Sequence, residues 1–87
     1  MLAWFPVDDE MSFHPKILAA GNAAVGVWAR AGAWCKKYTT GGFVPVGIAH
    51  SFGAEECARL VAVGLWDEGT DPLLGEGYQF HEWTKRA

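Results

Sequence analysis

The sequence predicts a mostly helical α+β domain that ends in a β-hairpin. Three observations support this fold class. Apolar residues recur with helical spacing over residues 14–64, glycine and proline divide that stretch into pieces of helix length, and two short alternating segments follow within residues 65–83. The chain has 87 residues, of which 51% are hydrophobic, so it is long enough for one core and too short for two. We therefore predict a single domain over residues 1–87, in which residues 1–13 form an extended segment ahead of the helical part and the hairpin.

The first half of the helical part contains a short helix and a long one. Pro15 suits the first turn of a helix, where its missing backbone N–H costs nothing, so a short helix is predicted over residues 14–20. Asn22 is a competent N-cap for the next helix, which keeps the helical spacing of apolar residues as far as Tyr38. Its apolar residues occupy two faces, so we expect this helix to lie at the centre of the domain.

The second half of the helical part is predicted to be a strand followed by two helices. Phe43-Val44 is long enough for a minimal strand, and Pro45 opens a helix that ends near residue 52. Gly53 then allows a sharp turn. Helical spacing resumes over residues 54–63. The inner face of this last helix is predicted to carry Cys57, Leu60 and Val61.

Two short segments near the end of the chain predict the strands of the hairpin. Residues 65–68 and 78–81 each alternate in character, and we interpret Gly75 and Gly77 between them as turn residues of a long loop. The predicted order is helix, minimal strand, helix, tight turn, helix and hairpin, which is the order of a winged helix-turn-helix domain. In such a domain residues 54–63 would be the recognition helix, and the loop of the hairpin would be the wing.

The charge distribution argues against ordinary binding of a phosphate backbone. The formal net charge is -3, and residues 51–84 contain seven acidic residues against one basic residue, Arg59. Glu55 and Glu56 fall on the predicted recognition helix, where DNA binding needs cations. For Lys36 and Lys37 we favour a solvated helix end, because cations suit the C-terminus of a helix through its dipole. The basic residues that stay candidates for DNA contact are Lys16, Arg30, Lys36, Lys37, Arg59, Lys85 and Arg86.

The cysteines and histidines of the sequence are not spaced as they are in catalytic sites or metal sites. Cys35 and Cys57 form no CxxC pair and fall on inner helix faces, so we predict buried packing thiols. The three histidines are not spaced as zinc ligands. We therefore expect no enzyme, no metal site and no other cofactor. With no secretory signal and no uninterrupted apolar stretch of spanning length, we expect a cytoplasmic protein without membrane contact.

Several short motifs resemble a family of known proteins. They are Trp4-Phe5, Val7-Asp8-Asp9, His14-Pro15-Lys16, Phe43-Val44-Pro45, Gly64-Leu65-Trp66, Gly77-Tyr78 and His81-Glu82-Trp83. Together they resemble a pattern common in actinobacterial and phage proteins that are similar to the N-terminal winged-helix domains of phage replisome organisers and of DnaD-like replication proteins. The resemblance implies a winged-helix module of phage or prophage DNA metabolism in a bacterial host cell. It also implies that the domain binds DNA, self-associates or docks onto other replication proteins.

Two hypotheses of function follow from the residues and the resemblance. The first is a non-enzymatic, phage-type winged-helix module of DNA replication or regulation that binds DNA weakly or together with a partner. The second is a small acidic phage protein-binding module that docks on, or inhibits, a basic host or replisome protein. An exposed apolar surface at Trp34, Tyr38 or Trp83 would also allow the chain to form a homodimer. The residues predicted for a protein interface are Trp34, Tyr38, Glu55, Glu56 and Trp83.

Overall fold

The computed structural model describes Val7 and residues 11–83 of the chain. Its elements, in chain order, are a 3-10 helix at Met11–Phe13, α1 at Pro15–Ala20, α2 at Asn22–Tyr38, β1 at Phe43–Pro45, α3 at Val46–Ala62, β2 at Trp66–Asp71 and β3 at Gly75–Phe80. The mostly helical α+β class is confirmed. The extended conformation predicted for residues 1–13 is wrong at the 3-10 helix, where the Met11 carbonyl accepts the His14 N–H at 3.1 Å. The rest of that segment, apart from Val7, lies outside the described residues.

The long helix α2 has the predicted length but a different cap. It begins at Asn22 and ends at Tyr38. Its N-cap is Gly21, whose carbonyl accepts the Val25 N–H at 3.0 Å, so the prediction that Asn22 caps the helix is wrong. Gly21 has φ 83°, a backbone conformation that favours glycine, and this explains why the chain can turn so sharply between α1 and α2.

The helix α3 consists of two helical segments that meet at a kink. Pro45 closes β1 in an extended conformation and acts as the N-cap of α3, so the helix begins one residue later than predicted. Gly53 has φ 149° and ψ 106°, outside the helical region, and separates residues 46–52 from residues 54–62. The predicted sharp turn at Gly53 is therefore confirmed, and with it the division into two short helices.

The three strands form one antiparallel sheet in the order β1-β3-β2. The hairpin strands are longer than predicted, because their pairing continues from Trp66↔Phe80 to Asp71↔Gly75. The Asp71 carboxylate then accepts the backbone N–H groups of Leu73 and Leu74, each at 2.9 Å, and so closes a turn of three residues. The long loop predicted between the strands is therefore wrong.

Gly77 has a role in the sheet that the sequence did not predict. It is a buried residue of β3, not a turn residue, and its register partners are Pro45 in β1 and Gly69 in β2. A Cβ on Gly77 would overlap the Val44 carbonyl oxygen, so the side of β3 that β1 approaches has no room for a side chain at this position. Glycine is required here for close approach of two strands.

The core lies between the helices and the inner face of the sheet. Trp28 of α2 contacts Phe80 of β3 with 6.1 Å between ring centroids, and Phe80 contacts Trp66 of β2 at 5.4 Å. Leu60 of α3 is also completely buried. Burial of these large side chains contributes about 2–3 kcal/mol each before the opposing entropy is counted. None of the helices in the described part of the chain has the length and apolar character that a membrane crossing requires.

Candidate interaction surfaces

The outward face of the second segment of α3 carries little charge. Cys57 and Leu60 are buried, as predicted, while Glu55 and Arg59 are exposed together with three alanines, Ala54, Ala58 and Ala62. Glu56 is half-buried, and its carboxylate lies against the kink at Gly53. This face thus presents one acid and one base among methyl groups, and it offers a phosphate backbone a single cation.

Two of the predicted DNA-contact residues lie at one junction of the fold. The Lys16 ammonium donates to the Gly64 carbonyl at 3.3 Å, just past the end of α3. The Arg59 guanidinium lies 3.7 Å from the position that a Cβ would take on Gly21, at the turn between α1 and α2. Both cations therefore lie at the C-terminal end of α3: Lys16 reaches it from α1, and Arg59 extends from α3 to the α1–α2 turn.

The other predicted DNA-contact residues lie elsewhere. The Arg30 guanidinium stacks over the Phe52 ring at 4.6 Å. Lys36 and Lys37 lie in the last turn of α2, a helix about 25 Å long, so they are at the opposite end of it from the α1–α2 turn. The remaining two candidates, Lys85 and Arg86, lie outside the described residues. Within residues 11–83, the candidate cations are distributed over several parts of the surface and do not form one patch.

The predicted protein-interface residues fall on two separate surfaces. Tyr38 is 53% exposed and contacts the half-buried Trp34 with 5.0 Å between ring centroids. Trp83 packs against Phe80 at 5.2 Å and lies under the Lys36 ammonium, also at the C-terminal end of α2. The other two residues of the prediction, Glu55 and Glu56, are on α3. The three aromatic residues are therefore near the same helix end, and the two glutamates are on another element.

An exposed apolar surface near the start of the fold was not predicted. Phe13 is 83% exposed and Leu18 is 62% exposed. Helical spacing along α1 could have predicted this exposure. Ile17 and Ala20 lie on the inner side of this six-residue helix, so Leu18 lies on its outer side.

The hairpin formed by β2 and β3 is the most acidic part of the described structure. Its carboxylates are Asp67, Glu68, Asp71 and Glu76, and the sequence has no lysine or arginine between Arg59 and Lys85. Leu73, at the tip of the hairpin, is 94% exposed. The hairpin therefore combines negative charge along its strands with an apolar tip.

A concavity of about 350 Å³ separates the hairpin from the start of α3. Its lining includes Glu68, Thr70, Glu76 and Tyr78 on the hairpin and Val46 on α3. Chemically, two carboxylates beside a phenol make a site for a cationic side chain and a poor site for an anion.

The Tyr78 hydroxyl and the His50 Nε2 lie 2.8 Å apart beside this concavity. Burial, and then the charges of Cys57 and Glu68, raise the pKa of Tyr78 above its usual value. The phenol therefore stays protonated and can donate to the imidazole at neutral pH. This pair joins the hairpin to the first segment of α3.

The two cysteines are packing thiols, as predicted. Both are free and completely buried, and each donates to a backbone carbonyl at 3.4 Å: Cys35 to Phe43 and Cys57 to Ala49. Burial raises the pKa of each thiol to about 11. Among the residues that the structure describes, no group of three or more histidine, cysteine or acidic side chains could hold a metal ion.

Comparison with known proteins finds no relative of this chain. No family model matches it, and no curated protein or solved structure matches it. The resemblance to replisome organisers and DnaD-like proteins therefore rests on short motifs and stays a prediction.

Proposed function

We propose that the chain is a winged helix-turn-helix domain that serves DNA replication or regulation as a non-enzymatic module, and that its main contact is with a protein. The order of elements supports the fold assignment: α2, β1, the two segments of α3 and the β2–β3 hairpin follow one another as in a winged helix. The sheet order β1-β3-β2 and the turn at Gly53 between the two segments agree with it. The short motifs that resemble phage replication proteins support the biological setting.

The acidic hairpin is the observation that favours a protein over duplex DNA. In a DNA-reading winged helix, the wing and the recognition helix both approach phosphates. Here the wing would bring Asp67, Glu68, Asp71 and Glu76 towards them without a single lysine or arginine. Carboxylates repel phosphates, and the one cation on the outward face of α3, Arg59, cannot offset four of them. A basic protein surface, by contrast, is attracted to this hairpin.

Weak DNA binding is the second candidate function, and it is favoured by the pair of cations at the C-terminal end of α3. Lys16 and Arg59 lie at the same junction, away from the tip of the hairpin, so a duplex could contact them without meeting the wing. Two phosphate contacts give only weak binding that depends strongly on salt.

Titration of labelled duplex and single-stranded DNA with the purified protein, at low and near-physiological salt, separates the two functions. We expect weak binding at low salt that disappears at near-physiological salt. Binding tighter than about 1 μM at near-physiological salt would exceed ordinary non-specific affinity and would contradict the protein-docking proposal.

A pair of double variants tests which cations matter. Lys16→Gln with Arg59→Gln should abolish the weak binding at low salt. Lys36→Gln with Lys37→Gln removes the same charge at the other end of α2 and serves as the matched control. An equal loss of DNA binding in both variants would mean that the C-terminal end of α3 is not a DNA contact. Circular dichroism checks that the variants fold, because Lys16 also bonds the end of α3.

A further inference from the structure

The strand β2 has an open outer edge within the described part of the chain. β3 lies between β1 and β2, so β2 pairs with a described strand on one side only. The His81 N–H donates to the Leu65 carbonyl at 3.0 Å, so Leu65 and His81 form a hydrogen-bonded pair of the hairpin. Successive residues of a strand point their backbone N–H and C=O groups to opposite sides, so it is the backbone groups of Asp67, Gly69 and Asp71 that bond to β3. The backbone groups of Glu68 and Thr70 therefore point outward.

The side chains along this edge are acidic on both faces of the sheet. Asp67 and Asp71 lie on the outer face, while Glu68 and Thr70 lie on the inner face and line the concavity beside α3. An added strand would thus meet carboxylates on either face of the sheet.

We infer that the open edge of β2 docks an extended basic segment of a protein partner, which adds to the sheet as a fourth strand. Backbone hydrogen bonds to Glu68 and Thr70 provide the pairing, and lysine or arginine side chains of the segment lie against Asp67, Glu68 and Asp71. This names the class of partner for the proposed protein-docking function and rests on it.

The same charges argue against other occupants of the edge. A second copy of this chain would bring its own acidic β2 alongside, and like charges directly opposite one another destabilise a strand pair. The acidic edge therefore also prevents the self-pairing to which exposed strands are prone. A nucleic acid strand is repelled for the same reason.

The test uses a short synthetic peptide in which pairs of lysines alternate with pairs of threonines, so that lysines lie on both faces of the added strand. Amide hydrogen exchange of the full chain is followed by NMR. With the peptide bound, we expect exchange to slow at the Glu68 and Thr70 amides. The Asp67 and Gly69 amides already bond to β3, so their exchange should change little. A control peptide with glutamate in place of lysine should have no effect.

Charge variants test the side-chain contacts. Asp67→Asn combined with Glu68→Gln should weaken binding of the lysine peptide by about threefold to tenfold, since two opposite-charge contacts are lost. Glu55→Gln is the control. Glu55 was predicted for a protein interface, but its exposed carboxylate lies on α3 and not along β2, so docking at the edge of β2 should leave the affinity of this variant unchanged.

A backbone variant tests the strand addition itself. Thr70→Pro removes an outward N–H that is not used in the β2–β3 ladder, and it should abolish binding, whereas Thr70→Val keeps the N–H and should bind. If Thr70→Pro disturbs the hairpin, the exchange pattern of the unmodified chain still decides the question.

Three outcomes would overturn the inference. The lysine peptide does not bind, it binds without slower exchange at the Glu68 and Thr70 amides, or Glu55→Gln loses as much affinity as the double variant at Asp67 and Glu68. Protection of these two amides by duplex DNA instead of the peptide would also overturn it. If the peptide does not bind while DNA binding stays weak, only the proposed docking at β2 is ruled out. Tight DNA binding at near-physiological salt would rule out the proposed protein-docking function itself.

Discussion

Replacement of Gly77 by alanine is the sharpest test of the close approach between β1 and β3. A Cβ at this position would overlap the Val44 carbonyl oxygen and would lie 2.8 Å from the Phe43 ring and 2.9 Å from the Pro45 Cα. Two of these three atoms belong to backbone, so no change of side-chain rotamer relieves the overlap. The strands must separate instead, which breaks the pairing that holds β1 in the sheet.

We expect Gly77→Ala to lower the free energy of unfolding by about 3 kcal/mol, the upper end of the range for overpacking a well-packed site. For a domain of this size that corresponds to a fall in Tm of roughly 12–24 °C. Urea and thermal unfolding followed by circular dichroism measure both quantities. Gly69→Ala is the matched control, because Gly69 is the direct register partner of Gly77 in β2 and a Cβ there meets no heavy atom within 4 Å.

The control should change the stability by less than about 1 kcal/mol and in the stabilising direction, since alanine restricts the unfolded chain. Unfolding of Gly77→Ala at the same urea concentration as the natural chain would show that the close approach of β1 does not exclude a side chain at this position. Equal destabilisation of both variants would show that any side chain on the hairpin causes the loss, and not the approach of β1.

Further predictions concern the core, the thiols and the contact between the hairpin and α3. Trp28→Ala should lower the free energy of unfolding by about 3–5 kcal/mol in urea unfolding, because the indole is almost completely buried; a loss below 1 kcal/mol would contradict its central position. Burial raises the pKa of Cys35 and Cys57 to about 11, so the unfolded chain ionises first and stability should fall as the pH rises from about 9 towards 11. The double variant Cys35→Ala and Cys57→Ala should lose less stability over this pH range. A thiol reagent at pH 8 should react with the buried thiols only as fast as the folded chain unfolds around them. Tyr78→Phe should cost no more than about 1 kcal/mol, because His50 is exposed and water can replace the lost hydrogen bond; a larger loss would show that the pair holds the hairpin in place.

Several features of the fold were predictable because their causes are local. Gly53 interrupts helical spacing, and the chain turns there. Helical spacing also identified the buried side of α3, including Cys57 and Leu60. Such features depend on backbone preference and on which neighbours along the chain are apolar, and both are visible in the sequence.

The features that were predicted wrongly depend on contacts between residues that are far apart along the chain. The sequence predicted Gly77 as a turn residue because glycine is common in turns, but its role comes from Val44, which meets it only after the sheet has formed. The hairpin loop was predicted too long because strand pairing can extend through residues with low strand preference once a turn such as that at Asp71 closes.

The sequence by itself determined that the chain forms a mostly helical α+β domain with an acidic C-terminal hairpin and buried thiols, because composition, charge and periodicity act within short segments. Only the tertiary structure decided that Lys16 and Arg59 lie at one junction and that Lys36 and Lys37 lie at the far end of α2. It also decided that, among residues 11–83, no strand pairs with the outer, acidic edge of β2. The physical reason is that spatial neighbours separated along the chain are chosen by how the helices and the sheet pack together. The surface that a partner meets is built from those neighbours.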